Sequence, residues 1–157
     1  MKRETIIALT CIVIVCGCSL PNDAKMIDRF KQKKPIFETL VQMVLEDKLD
    51  GTLWISTPDG SPATIPNPRA MEYKALLNQA GVIGVMRMEK GARKDQIIFF
   101  TPTPFLSTEE KIYVYSSSPP YPLLESLDKG RQEFKPYVSY YKHIEGNWYL
   151  EYAIVNG

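Results

Sequence analysis

Cysteine and histidine are almost missing from the body of this 157-residue chain. The three cysteines are Cys11, Cys16 and Cys18, so no internal disulfide or cysteine metal site can form after residue 18. The one histidine, His143, leaves almost no room for a histidine metal site or a Ser-His-Asp arrangement. The fold must therefore be held by packing, which a body of about 140 residues is large enough to provide. We expect no metal and no cofactor.

An excess of charge of either sign is also missing. The chain has 19 basic and 18 acidic residues, and its first 17 residues contain Lys2, Arg3 and Glu4. The remainder is neutral, with 17 residues of each sign. A neutral domain has no general electrostatic attraction for a phosphate backbone, so we expect no nucleic acid partner.

A hydrophobic run long enough to cross a membrane is the third absence. After a basic start, residues 5–16 form an apolar run of about a dozen residues, whereas a spanning helix needs about 20. A short basic start, an apolar run of this length and a small residue at its end are typical of a secretory signal peptide. We therefore predict that residues 1–17 are removed on export, by cleavage between Gly17 and Cys18.

The end of this segment is more specific. Residues 15–18, Val-Cys-Gly-Cys, resemble the bacterial lipobox, in which an aliphatic residue, a variable position and a small residue precede a cysteine. The resemblance covers residues 1–18 and implies that Cys18 receives a diacylglycerol and becomes the acylated N-terminus of a lipoprotein. Cys16 departs from the usual Ala, Ser or Thr at the variable position. By the same analogy, Ser19 implies the periplasmic face of the outer membrane, in an organism that has one.

Acyl chains would replace a transmembrane helix as the anchor, because each buried CH₂ contributes about 0.8 kcal/mol. Residues 18–23 are then a lipidated tether. The chain continues with five basic side chains: Lys25, Arg29, Lys31, Lys33 and Lys34. These either lie on a solvated helix face or add up to about 1 kcal/mol each near anionic headgroups. The alternative for residues 1–18 is a buried helix or strand in which Cys18 is an ordinary core thiol.

Residues 24–157 are expected to form a single domain of the α+β class. Apolar residues at three- and four-residue spacing predict an amphipathic helix over roughly 24–48, with Asp23 as its cap. Pro35 is expected to kink or split this helix, because proline removes a helix hydrogen bond and clashes with the preceding turn. The half over 36–45 would then pack on a sheet, while the basic half would be partly loose and face the membrane.

A second, shorter helix and a sheet are predicted after the first helix. The helix runs from about Arg69 to Ala80, where Gly81 favours a left-handed cap. Short β-branched or aromatic segments predict an antiparallel sheet of five or six strands, arranged as a meander and ending in a C-terminal hairpin. These segments are residues 52–56, 82–89, 96–101, 111–116, 137–144 and 148–155.

The final hairpin allows a prediction of register. A three-residue loop over residues 145–147 pairs Tyr140 with Tyr152 and Ile144 with Trp148, so that apolar side chains share one face. Such cross-strand pairs each contribute about 0.2–1 kcal/mol.

No residue pattern of an active site stands out. The adjacent carboxylates Glu109-Glu110 and Glu46-Asp47 point apart on a helix or strand, whereas a glycosidase pair must converge on its substrate. The serines at 116–118 lack the flanking glycines of a nucleophile elbow. The chain also has no glycine loop that opens a helix and could hold a phosphate. We therefore expect no catalytic residue and no enzyme activity.

Loops that contain proline are better candidates for a functional surface. Three such loops cover residues 58–68, 101–106 and 116–122, and proline lowers the entropy that is lost on binding. Apolar side chains on these loops, and residues on the solvent face of the hairpin, are the predicted partner contacts. They are Phe105, Leu106, Tyr121, Tyr141 and His143. Alternatively, the loops are rigid connectors whose aromatic side chains lie under the sheet.

These observations favour a non-enzymatic, lipid-anchored protein of the bacterial cell envelope that binds an envelope or secreted protein. It would act as an immunity or inhibitor protein, or as an accessory subunit of an envelope assembly. The alternative is a carrier lipoprotein, in which a helix and a curved sheet enclose a small ligand or a lipid.

Overall fold

The computed structural model describes residues 20–49, 51–56, 65–104 and 107–155. Within these ranges the chain has the predicted α+β fold, with two helices and a six-stranded antiparallel sheet. The helices are α1 (Asp23–Glu46) and α2 (Asn67–Ala80). The strands are β1 (Gly51–Trp54), β2 (Gly84–Arg87), β3 (Ile97–Phe100), β4 (Glu109–Tyr115), β5 (Tyr140–Glu145) and β6 (Trp148–Ile154).

Several predicted features lie outside the described residues. They are the signal peptide, the cleavage and lipidation site at Gly17 and Cys18, and the loop residues Phe105 and Leu106. In the part of the chain that is described, no helix is both long and apolar enough to cross a membrane.

The order of the strands differs from a simple meander. The sheet has the order β1-β2-β3-β4-β6-β5, so β1 to β4 form the predicted meander and β6 lies between β4 and β5. Residues 116–139 carry the chain past this position to the outer strand, and β6 returns along β4. All seven residues of β6 are buried. The final hairpin is therefore joined to the sheet by its second strand.

The register of the hairpin is partly as predicted. Tyr140 pairs with Tyr152, but Glu145 pairs with Trp148 across a two-residue turn. A bulge beside Glu145 takes Ile144 out of the ladder, so the predicted pair of Ile144 and Trp148 does not form. The extra residue in the bulge reconciles a tight turn with the register that the buried face requires.

Helix α1 is continuous through Pro35, contrary to the expected split and the loose basic half. Met26 and Phe30, which lie before the proline, are as buried as Phe37 and Leu40, which lie after it. Because both halves bury side chains against one core, tertiary packing outweighs the hydrogen bond that Pro35 removes.

Helix α2 ends as predicted, because Gly81 adopts the left-handed conformation with φ 76°. It begins at Asn67 and includes Pro68 in its first turn. Proline is tolerated there, because N–H groups of the first turn have no hydrogen-bond acceptor within the helix. The helix therefore begins two residues before the predicted start at about Arg69.

The two faces of the sheet have different surroundings. The inner face packs against both helices, and rings of Phe99 and Tyr113 lie beside Phe37 at centroid distances of 5.4 and 5.0 Å. The outer face carries a smaller cluster, to which neither helix contributes a residue. Its buried members are Ile98, Ile112, Val114, Tyr141 and Tyr149.

Asp23 is not the helix cap that was expected. Asn22 occupies the cap position and accepts a hydrogen bond from the Lys25 N–H at 2.9 Å. Asp23 is buried instead, and its carboxylate accepts hydrogen bonds from Lys111 Nζ at 2.9 Å and from the Leu127 N–H at 2.8 Å. Burial favours a higher pKa for Asp23, but these two partners outweigh it and hold the pKa below its ordinary value.

Asp23 belongs to a group of four charged residues that we call the anchor cluster: Asp23, Asp128, Lys111 and Lys142. Lys111 Nζ also donates to Asp128 at 2.7 Å, and Lys142 Nζ lies 3.6 Å from Asp23. The Asp23 N–H donates to both carboxylate oxygens of Asp128 at 2.9 Å. Two positive and two negative charges therefore compensate one another, and they tie α1 to β4, to the crossover and to β5.

Candidate functional site: a charged cleft on the outer face of the sheet

Two adjoining cavities open on the outer face. The larger, of about 560 Å³, is lined by the proline-rich segment 116–122 and by the connection between β2 and β3. The smaller, of about 230 Å³, extends toward the end of β6. Arg93, Tyr137 and Ser139 line both cavities. We therefore treat them as one groove and call it the outer cleft.

Two tyrosines of the outer cleft are almost fully exposed. Tyr121 is 89% exposed and Tyr137 is 76% exposed. Tyr121 stands between Pro120 and Pro122, which restrict its backbone. Tyr137 has φ 61°, a conformation that costs a residue with a side chain about 1–2 kcal/mol, and its N–H donates to the Ile154 carbonyl at 3.0 Å. The fold thus holds both rings on stiff backbone at the rim.

A buried carboxylate lies in the wall of the outer cleft. Glu151 of β6 is 1% exposed, which is rare for a charged side chain. Its two oxygens accept hydrogen bonds from Arg93 Nη2 and, at 2.6 Å, from Ser139 Oγ. Burial raises the pKa of Glu151, and Arg93 and Ser139 offset only part of this rise. Arg93 Nε also donates to Gln96 at 2.9 Å, so the guanidinium is held at two points.

A second carboxyl group, that of Glu110 on β4, lines the same small cavity. Glu110 pairs with Ala153, two residues from Glu151 on the neighbouring strand, so the two carboxyl groups are diagonal neighbours on one face. The Glu110 side chain makes no hydrogen bond or ion pair with any described residue. Burial raises its pKa, and the charge of Glu151 raises it further. Two carboxyl groups therefore share one arginine.

This arrangement is better suited to recognition than to acid–base chemistry. Both members of a pair of catalytic carboxyl groups must reach the substrate. Here Glu151 is buried and engaged in hydrogen bonds, whereas Glu110 is half-exposed. The described residues contain no group of three or more His, Cys, Asp or Glu side chains that could hold a metal ion. Tyrosine, arginine and rigid proline are instead the side chains that protein interfaces favour.

The predicted contacts of the sequence are only partly brought together. Tyr121 lies exposed in the outer cleft, as expected. Tyr141 lines the cleft but is 4% exposed, because its side chain belongs to the buried cluster of the outer face. Its backbone N–H donates to the Pro122 carbonyl at 3.0 Å, and its carbonyl accepts from the Leu124 N–H at 2.7 Å. His143 is exposed but does not line the cleft, and its Nε2 lies 3.0 Å from the Gly146 carbonyl.

No local pattern in the sequence indicates that Glu110, Glu151, Arg93 and Ser139 form a group. They come from four segments, and only the pairing of β4 with β6 brings the two carboxyl groups together. One signal was available, because Glu151 interrupts a run of otherwise apolar and aromatic residues. Strand alternation places Glu151 on the opposite face from Leu150 and Tyr152.

Comparison of the chain with known protein families, with curated proteins and with solved structures finds no match.

Proposed function

We propose that this chain is a non-enzymatic, lipid-anchored protein of the bacterial cell envelope, and that it binds another protein through the outer cleft. The signal-like residues 1–17 and Cys18 support the location. The observation that carries the binding role is the pair of exposed tyrosines, Tyr121 and Tyr137, on stiff backbone at the rim of a cavity. A rigid aromatic anchor contributes a large contact area and loses little entropy on binding.

Three of the seven large apolar side chains that are exposed among the described residues line the outer cleft: Tyr121, Tyr137 and Val155. The other four do not line the cleft; they are Leu45, Met71, Ile83 and Leu123. Scattered apolar residues are normal on a protein surface, whereas a grouped set with a polar rim is typical of an interaction site.

Two kinds of partner fit this proposal. One is a secreted enzyme that the protein inhibits, as an immunity protein does, and the other is a subunit of an envelope assembly. We expect either kind of partner to bind at the outer cleft, and the identity of the captured protein distinguishes an inhibited enzyme from an assembly subunit.

Capture at the cleft is tested with a photo-cross-linking amino acid, benzoylphenylalanine, in place of Tyr121. We expect ultraviolet light to join one protein to this variant in detergent extracts of the native host. The matched control carries the same amino acid at Gln79, which is exposed on α2. Equal yields of cross-linked protein at both positions, or none at Tyr121, would contradict the proposal.

The location is tested with the native chain and a Cys18→Ala variant. Intact mass and membrane fractionation should find a cleaved, acylated species in the membrane, and this species should be missing in the variant. A soluble and unprocessed native chain would contradict the lipoprotein assignment, whatever the outer cleft binds.

The second candidate, a carrier of a small ligand or lipid, has one observation in its favour. A mostly apolar cavity of about 510 Å³ lies beside β1 and the end of α2, lined by Trp54, Ile83 and Pro102 among others. This cavity is of a size that holds small ligands. Native mass spectrometry of the domain without residues 1–18 would detect a ligand that copurifies, and a bare protein mass would argue against this function.

A further inference from the structure

We propose that the protein partner inserts a lysine or arginine side chain into the outer cleft, where its cation pairs with Glu110 and lies against the Tyr137 ring. This inference rests on the protein-binding function proposed above and names the chemical group that is recognised.

The small cavity carries an excess of negative charge. Its charged lining residues are Glu110, Glu151 and Arg93, which leaves one negative charge without a counterpart. Arg93 is already engaged by Glu151 and Gln96. Lys94 lines only the larger part of the cleft and forms no ion pair with a described residue.

The anchor cluster of the same protein has no such excess of charge. In the anchor cluster, each carboxylate faces a lysine, and Asp23 and Asp128 share Lys111 at 2.9 and 2.7 Å. The fold can therefore compensate buried charges where only structure requires it. Glu110 is half-buried and has no such partner, so water must supply the hydrogen bonds that its carboxyl group requires.

The shape of the site also suits a cation. Tyr137 lines the small cavity beside Glu110, and its exposed ring offers a face to a cation, which tyrosine attracts within about 6 Å of the ring centre. A guanidinium fits best, because it can donate two hydrogen bonds to one carboxylate and stack on the ring at the same time.

The larger cavity favours a side chain of a polypeptide over a free cation. The small cavity continues into the larger one, whose walls include Pro119, Pro122 and Tyr121. These side chains provide a surface for the polypeptide on either side of the inserted residue. A free polyamine would have no use for them.

The test is a titration with capped tripeptides, followed by the amide NMR signals of Ser139 and Ala153. We expect acetyl-Gly-Arg-Gly-amide to shift these signals, and the uncharged citrulline peptide to bind at least tenfold more weakly. Glu110→Gln should weaken binding of the arginine peptide by at least tenfold. Glu125→Gln should not, because Glu125 is exposed and does not line the cleft. Circular dichroism verifies that both variants fold.

Three results would overturn the inference: equal binding of the arginine and citrulline peptides, undiminished binding by Glu110→Gln, or binding of spermidine without binding of either the arginine or the matching lysine peptide. If Tyr121 still cross-links to a protein in any of these cases, the protein-binding function stands and only the basic group is wrong. If the arginine peptide binds as expected but nothing cross-links, cation recognition stands and the protein partner is wrong.

Discussion

The two charged clusters of this protein differ in their balance of charge and in their access to solvent. The anchor cluster has two carboxylates and two lysines, is largely closed to solvent at Asp23 and Lys111, and joins α1 to the sheet. The small cavity of the outer cleft has two carboxyl groups and one arginine, and it opens beside an exposed tyrosine. A buried charge that only holds elements together is stable when it is paired, whereas an unpaired one costs free energy. This difference supports an architectural role for the anchor cluster and is the basis on which we propose recognition at the outer cleft.

The largest expected effect is on the anchor cluster. Lys111→Ala leaves Asp23 and Asp128 without their shared cation, so we expect the free energy of unfolding to fall by about 3–5 kcal/mol. Urea denaturation measures this loss. The control Lys25→Ala, at an exposed position of α1 near Asp23, should change it by less than about 0.5 kcal/mol. A similar small change for both variants would show that the anchor cluster is not structural.

A smaller loss is expected when the outer cleft loses its arginine. Arg93→Ala leaves Glu151 buried without its cation and beside Glu110, and should lower the free energy of unfolding by about 1–3 kcal/mol. Adding Glu151→Gln to this variant should restore part of the loss, because the uncompensated charge is then removed. A double-mutant cycle measured by urea denaturation gives the coupling, and additive effects would contradict the ion pair.

Removal of Glu110 should have the opposite sign. Glu110→Gln takes away repulsion with Glu151, so at pH 7 we expect stability to stay the same or to rise by up to about 1 kcal/mol. The folded pKa of Glu110 is raised above its ordinary value near 4.5, so its ionisation opposes folding at neutral pH. The free energy of unfolding of the wild-type chain should therefore increase relative to that of Glu110→Gln as the pH falls from 7 toward 4.5.

Asp23 provides the contrast in the same measurement. Because the folded pKa of Asp23 is lowered, its stabilisation is complete above its ordinary value of 3.8 and is lost as the pH falls through the folded pKa. Thermal unfolding across pH 3–7 separates the two effects. A difference between wild type and Glu110→Gln that does not change with pH would contradict the assigned environment of Glu110.

The smallest expected effect concerns the backbone of the exposed tyrosine. Tyr137→Gly removes the strain of the positive φ but increases the conformational entropy of the unfolded chain. We therefore expect the free energy of unfolding to rise by between zero and about 1 kcal/mol. Binding of the arginine peptide should weaken at the same time. Tyr121→Ala, where φ is not positive, should leave stability within about 0.5 kcal/mol. Destabilisation by Tyr137→Gly would mean that the ring packs rather than recognises.

Much of the fold follows from local patterns in the sequence. The α+β class, the end of α2 at Gly81 and the pairing of Tyr140 with Tyr152 were predictable, because periodicity and turn chemistry act over a few residues. The continuity of α1 through Pro35 was not, since it depends on burial of Phe30 and Phe37 in the same core.

The candidate site was less predictable than the fold. Tyr121 could be found, because an aromatic residue among prolines is visible in the sequence itself. The proximity of Glu110 and Glu151 could not be predicted, because it requires β6 to lie between β4 and β5. The predicted meander would have placed β6 beside β5 only. The burial of Asp23 was hidden for the same reason, because Lys111 and Asp128 come from distant segments.

The position of β6 has a consequence for the time at which the domain can fold. β6 is synthesised after the other five strands of the described sheet, yet it occupies an inner place. Among the described residues, β5 has no sheet neighbour other than β6 along most of its length. A nascent chain that lacks residues 148–154 therefore lacks the strand that joins β4 to β5 and part of the lining of the outer cleft. Contacts between distant segments form slowly, because the intervening chain must first be closed into a loop. If the chain is exported as proposed, this late step keeps it from completing its fold during synthesis, which suits passage through a membrane in an unfolded state.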